Sequence, residues 1–292
     1  MLHVEAGGPP PRIPMPTGFP RIPGTSVEIV KQPPRGRIRH CLLDFDGTLS
    51  YLRDGWQDFM VPLMVEVLEA CPRHESREEL EALVIDFVDH LTGKQTIYQM
   101  LRLVEEVEKR GGTPRPALEY KQEYNQRVSR GVASRMEALR SGKAAPEEFL
   151  VLGARAFLDR LVDSGISCYL ASGTDVEYVT EEVRLLGLER YFEDRVYGAL
   201  PNYKDFSKEK VILAIISEHQ LEGGGLLVAG DGYVEIQNGR DVDAVTLGVY
   251  TPEKNRYHMN DNKRERLFRA GAHLLALDFA ESDAILSYLR VS

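Results

Sequence analysis

The run Cys41-Leu42-Leu43 ends in Asp44-Phe45-Asp46-Gly47-Thr48-Leu49-Ser50, so an apolar segment stops abruptly at two carboxylates two residues apart, followed by a glycine and a hydroxyl. An apolar run of this kind reads as a buried strand. In an extended strand, residues i and i+2 point the same way. A strand persisting to Asp46 would aim both acids at one spot beyond its end, whereas a turn at Phe45 would let the loop place them around that spot. Read alone, the pattern serves equally as a strand followed by an ordinary Asp-Gly turn. The rest of the chain decides between a turn and a reaction centre.

Upstream, residues 7 to 36 hold nine of the 16 prolines, which remove backbone donors and favour extended chain. Residues 1–36 are therefore expected to form a proline-rich arm with a short edge strand over Ser26 to Lys31, either a free, disordered tail or one whose apolar side chains lie along the body or a neighbouring subunit. Arg37 to Phe45 reads as the buried strand. Helical spacing then takes over in Trp56 to Ala70, Ser76 to Leu91, Thr96 to Lys109 and Ala117 to Leu139, broken by Gly111-Gly112-Thr113-Pro114 and Ser141-Gly142. This strandless block, residues 51–145, reads as a separate helical module.

From residue 146 the spacing alternates. Pro146 to Ser164 is expected to be helical, Ile166 to Ala171 a strand, Asp175 to Leu186 a helix, and Arg195 to Gly198 a strand. A helix over Ser207 to His219 and strands over Leu226 to Gly230, Val245 to Tyr250 and His273 to Leu277 complete the pattern. Such alternation predicts an α/β, doubly wound, mostly parallel sheet with right-handed crossovers, formed by residues 37–50 and 146–292. Ligands of such sheets bind outside the carboxyl ends of the strands, where strand order reverses. Asp44 and Asp46, Ser172 and Thr174, and Asp231 all fall at such ends.

In that order these residues resemble the haloacid dehalogenase superfamily, in its phosphatase branch. The matching motifs are Asp44-Phe45-Asp46-Gly47-Thr48, then Ser172 after an apolar strand, a lysine before a helix, and Gly230-Asp231-Gly232-Tyr233-Val234-Glu235. The resemblance implies a Rossmann-like core with the helical module as a cap. It also implies a Mg²⁺-dependent phosphomonoester hydrolase acting on a small phosphorylated metabolite, a sugar phosphate or phosphoglycolate-like acid, with a phosphomutase as the alternative. A binding or assembly protein on the same fold is a third reading. Asp44 would be the nucleophile forming an aspartyl-phosphate, and Asp46 would protonate the leaving alcohol and then activate water. Mg²⁺ would be held by Asp44, the Asp46 carbonyl and Asp231, with Glu235 holding a metal-bound water or orienting Asp231. Many relatives carry Asp where Glu235 stands. Ser172, Gly173 and Thr48 would bind phosphoryl oxygens, while Thr174 and Asp175 cap the following helix.

Among Lys204, Lys208 and Lys210, the Ser207-Lys208 pair before an apolar helix best matches the family pattern, and the others read as solvated. In the cap, Gly93-Lys94-Gln95-Thr96 reads either as a loop that senses the leaving group through Lys94 and Gln95, or as a helix start capped by Thr96. Arg53 either meets an anionic substrate or is an exposed charge. Trp56, Met60 and Met64 at helical spacing read as core. Gly223-Gly224-Gly225 reads as a turn before a strand.

Composition excludes several classes. A formal net charge of -9 argues against a nucleic-acid partner, which is held mainly through its phosphates. No apolar run reaches the roughly 18 to 20 residues of a membrane span, and the N-terminus does not read as a secretory signal. Cys41, Cys71 and Cys168, odd in number and widely spaced, read as reduced thiols. A cytoplasmic protein is expected, with a homodimer through the cap or the arm as a possible assembly.

Overall fold

The computed structural model describes residue 16, residues 18–252 and residues 262–291. The first fifteen residues of the expected arm lie outside that set. The strands are β1 (Glu28–Ile29), β2 (His40–Leu43), β3 (Ser167–Asp175), β4 (Val196–Ala199), β5 (Leu226–Gly230), β6 (Val245–Val249) and β7 (Leu274–Ala276). They form one sheet in the order β1-β7-β6-β5-β2-β3-β4. All pairs are parallel except β1 with β7. The chain builds outward from β2 to β3 and β4, then returns to the other side with β5, so β2 sits where the strand order reverses.

Every residue of β2 is buried, as both faces of a central parallel strand require. Cys41 and Leu43 enter one hydrophobic cluster and Leu42 another, following the alternation of side chains along a strand. The first cluster includes Phe157 of α5 (Ala154–Asp163), Val179 of α6 (Val176–Leu185) and Ile285 of α11 (Ser282–Tyr288). The second includes Ile212 of α8 (Lys208–His219). On that second side α9 (Tyr233–Asp241) and α10 (Lys263–Ala270) add Ile236 and Leu267. The short α7 (Glu189–Phe192) leads into β4.

The cap consists of α1 (Gln57–Glu69), α2 (Arg77–Leu91), α3 (Thr96–Lys109) and α4 (Ala117–Arg140), and has its own buried cluster from Leu52 to Met136. These helices fall within a residue or two of the expected bounds. Ser76 starts α2 through a capping box: its hydroxyl accepts from the Glu79 N–H, and the Glu79 carboxylate accepts from the Ser76 N–H.

Three expectations change. Residues 18–36 are not a free arm: Ile22 and Val27 are buried against the core, and β1 lies within the expected edge strand. Pro146 to Ser164 is not one helix but a 3₁₀ turn at Pro146–Phe149 followed by α5. Between them Leu150 pairs with Ser50, and the Val151 N–H donates to the Leu49 carbonyl at 3.0 Å, which makes a two-stranded link between core and cap. Gly153 (φ +78°) then turns the chain where a Cβ would meet the Phe279 backbone at 2.3 Å. The strand expected to end at Ala171 runs on to Asp175, and α7, α9, α10 and α11 were not expected at all.

All three cysteines are free and buried. Among the described residues no helix is long and apolar enough to cross a membrane.

Candidate active site

The chain turns at Phe45. Its carbonyl accepts from the N–H groups of Thr48, Leu49 and Ser50, its ring is fully buried, and Gly47 takes φ +72°. Asp44 remains on the ladder through its N–H to the Ala229 carbonyl at 3.0 Å. Asp44 and Asp46 are therefore placed around one point by a loop and are not aligned along one strand face. Both line a cavity of about 90 Å³ between the sheet and the cap, together with Ser172, Gly173, Lys208 and Asp231.

Lys208, 4% exposed, joins the acids: its ammonium lies 2.8 Å from Asp44 Oδ1 and 2.9 Å from Glu235 Oε2. Lys204 and Lys210 are exposed, and the Lys210 ammonium donates to the Lys204 carbonyl. Geometry thus brings Lys208 alone of the three to the cavity. Ser207 starts α8, accepting from the Lys210 N–H at 3.1 Å, and this helix start aims Lys208 inward.

Asp231 follows β5, and carboxylate oxygens of Asp44, Asp231 and Glu235 lie within 4.8 Å of one another. Glu235, fully buried, accepts from the Gly232 N–H at 2.6 Å and holds Lys208. Thr48, expected to bind phosphate, is itself fully buried and does not line the cavity. Its hydroxyl accepts from the Asp231 N–H at 3.0 Å, so it fixes the acid loop. Lys263, which sequence reasoning missed, places its ammonium 2.8 Å from Asp231 Oδ2. Thr251, also missed, donates to the Gly47 carbonyl at 2.5 Å.

Asp46 is held by two hydroxyls, Thr174 Oγ1 at 2.9 Å and Ser172 Oγ at 3.3 Å, both donating to Oδ2. Its Oδ1 is buried with no hydrogen-bond partner among the described residues. Thr174 and Asp175 do not cap α6 with their side chains; Asp175 accepts from the Lys121 ammonium and, at 2.8 Å, from the Asn125 amide, both on α4. Gly173 is tight against the cap, where a Cβ would stand 2.8 Å from the Lys94 carbonyl.

On the cap side, Arg53 is not an exposed charge. It is 8% exposed and paired with Glu182 of α6 at 2.7 Å, and it lines the cavity. Lys94 lines the cavity as well, but Gln95 does not: its amide donates to the carbonyls of Tyr203 (3.0 Å) and Phe206 (2.7 Å), tying cap to core. Thr96 is the first residue of α3 and caps nothing; it and Trp56 line the cavity.

Burial pushes Asp44 and Asp46 above the usual carboxylate range, opposed by Lys208 at the first and by Arg53 at the second. Burial would also depress Lys208, but Asp44 and Glu235 outweigh it and hold the ammonium charged. At Asp231 burial is likewise overcome, here by Lys263, and the carboxyl is lowered. Burial raises Glu182 to about 7 despite Arg53.

A hard divalent cation fits this set. The donors are all oxygen, and the three carboxylates whose oxygens cluster (Asp44, Asp231, Glu235) face two ammonium groups (Lys208, Lys263), one positive charge short.

No curated protein matches the chain. Solved structures do match its fold. One described as a predicted phosphatase from Clostridium acetobutylicum is 17% identical, with 86% of this chain and 100% of that one covered, at a TM-score of 0.57. Another, described as a predicted phosphoglycolate phosphatase from Haemophilus somnus, is 15% identical over 86% of this chain and 99% of its own, at 0.54. A putative β-phosphoglucomutase from Thermotoga maritima is 17% identical over 86% and 99%, at 0.50. The sequence pattern of the haloacid dehalogenase-like hydrolases matches residues 38–243, and the chain belongs to that family.

Proposed function

We propose that the protein is a Mg²⁺-dependent phosphomonoesterase that hydrolyses a small phosphorylated metabolite through an aspartyl-phosphate on Asp44. The observation that carries this reading is the convergence of Asp44, Asp46, Lys208 and Asp231 on one small cavity at the carboxyl end of β2. Phosphate monoesters resist attack because their oxygens are anionic, so the site must supply position and positive charge. Asp44 and Asp231, with the Asp46 carbonyl, would hold Mg²⁺, which when bound neutralises phosphoryl oxygens.

The Asp44 carboxylate, steadied by Lys208, attacks phosphorus; an O–P bond forms and the ester P–O bond breaks. The proton on Asp46, whose buried Oδ1 has no partner among the described residues, passes to the leaving oxygen. Asp46, now a carboxylate, takes a proton from water as the water oxygen bonds phosphorus and the acyl-phosphate bond breaks. The Ser172 hydroxyl and the Gly173 N–H would donate hydrogen bonds to the phosphoryl oxygens, and the cap would exclude bulk water.

Purified protein with Mg²⁺ should release inorganic phosphate steadily from members of a panel of phosphorylated metabolites. Asp44→Asn should abolish release while circular dichroism remains that of the folded protein. Activity retained in that variant overturns the mechanism, and turnover that requires a bisphosphate activator would make the protein a mutase.

A further inference from the structure

A second cavity, of about 360 Å³, lies along the seam between the cap loop and helices α8 and α9. It shares four wall residues with the catalytic cavity: Gly93, Lys94, Gly173 and Lys208. The catalytic cavity, at about 90 Å³, is far below the roughly 300–1,000 Å³ of ordinary small-molecule sites, whereas the seam cavity falls within that range. The first can house a phosphoryl group and little more. A leaving group rising from Asp46 toward the cap meets Gly93 and Lys94, and the wall they form with Gly173 and Lys208 is where the larger space begins.

Resting on the phosphatase reading above, we propose that the seam cavity binds the substrate's leaving group, and that this group is an uncharged, polyhydroxylated body and not a second anion. The chemistry of its wall supports both parts. Gln237 and Asn238 on α9 are half-buried, and their amides make no hydrogen bond among the described residues, leaving paired donors and acceptors facing the cavity. Each hydroxyl of a polyol offers a donor and acceptors to match. Lys94 and Glu209 contribute one charge of each sign, the Lys208 ammonium is already held by Asp44 and Glu235, and Asp241 is bonded by Arg240, so among the described residues the wall has no surplus cation for a carboxylate or second phosphate. Gln95, bonded to the Tyr203 and Phe206 carbonyls, keeps the cap loop forming one side of this space.

The test compares kcat/KM with Mg²⁺ for a panel of polyol and aldose monophosphates, glucitol 6-phosphate among them, with that for acetyl phosphate, whose leaving group is small. Asn238→Trp fills the seam cavity. Gln237→Ala/Asn238→Ala keeps the space and removes the amides, so a folding failure in one variant leaves the other. The wild type should turn over at least one panel member, and both variants should lower the ratio of its kcat/KM to that of acetyl phosphate at least tenfold. 6-Phosphogluconate should be a poorer substrate than glucitol 6-phosphate. The proposal is overturned by an unchanged ratio, by a preference for the acidic ester, or by turnover of acetyl phosphate with rejection of the whole panel, outcomes that leave the phosphatase reading intact. Inactivity toward every ester and toward acetyl phosphate would defeat both.

Discussion

The two walls of the catalytic cavity are held in place by different forces. On the core wall, Asp44 and Asp231 lie just past the ends of adjacent parallel strands, and Ser172 lies within β3 just beyond the stretch paired with β2, where backbone pairing fixes Leu43 against Leu170 and against Ala229. On the cap wall, Gln99, Tyr124 and Asn125 come from helices with a separate hydrophobic core, and Trp56 stands just before the first of them. That wall is joined to the sheet by side chains: Arg53 to Glu182, Lys121 and Asn125 to Asp175, and Gln95 to the Tyr203 and Phe206 carbonyls. A ladder of backbone bonds positions the chemistry, while replaceable side-chain links position recognition. Substitutions on the first wall should therefore remove activity outright, and substitutions in the links should loosen the cap first.

The largest effect is expected on the core wall. Lys208→Ala leaves Asp44 and Glu235 buried without their cation and removes a charge from the reacting phosphoryl group, so kcat should fall by roughly 10²–10³ or more, as when a transition-state donor is removed. Lys204→Ala, at an exposed position, should stay within about twofold of wild type, in line with the small effect of surface substitutions. The reverse pattern in a steady-state phosphate-release assay would reassign the motif lysine and break the distinction between the walls.

The next effect tests a link. Arg53→Met strands the Glu182 carboxylate, 1% exposed, and breaking a buried pair of this kind costs about 3–5 kcal/mol. Adding Glu182→Gln should restore most of the stability in urea unfolding, because an uncharged partner carries a smaller desolvation penalty. If activity returns with stability, Arg53 serves only as a strut. If stability returns and KM remains high, its guanidinium also meets the substrate.

The same contrast explains what could be read in advance. Each core-wall acid follows an apolar run, so Asp44, Asp46 and Asp231 stood out, and the parallel sheet followed from alternating spacing. The cap helices were legible because amphipathic periodicity and breakers mark them locally. Cap-wall partners were not, because only tertiary packing brings Glu182 to Arg53 or Lys121 and Asn125 to Asp175. Lys263 was hidden in the charged run Lys263-Arg264-Glu265-Arg266, where nothing local sets one cation apart from its neighbours. Thr48 was assigned to phosphate because it belongs to the first motif, yet the Asp231 N–H occupies its hydroxyl.

A smaller effect is expected from Gln95→Ala, which removes two hydrogen bonds between cap and core. At about 0.5–1.5 kcal/mol each, Tm should fall by a few degrees, with KM raised more than kcat is lowered. A fall in kcat alone would mean that Gln95 supports the chemistry from a distance, against the division drawn between the walls.

The smallest effect lies away from both walls, at the opposite end of the strands, where it serves as a reference. His273 precedes β7; its Nδ1 accepts from the Thr246 N–H at 3.1 Å, and burial followed by Lys31 lowers its pKa to about 4 from 6.5. The folded state thus resists a proton that the unfolded chain accepts. The resulting stability is fully present above pH 6.5 and is lost as pH falls from 6.5 through about 4. Urea midpoints should therefore drop between pH 7 and pH 4.5, and the drop should shrink in His273→Asn, which is uncharged throughout. Because His273 touches neither wall, His273→Asn should leave kcat/KM at pH 7 within about twofold of wild type, as expected for a site remote from the chemistry. A larger loss would mean that the base of the sheet is coupled to the cavity, and that the ladder transmits strain as well as fixing position.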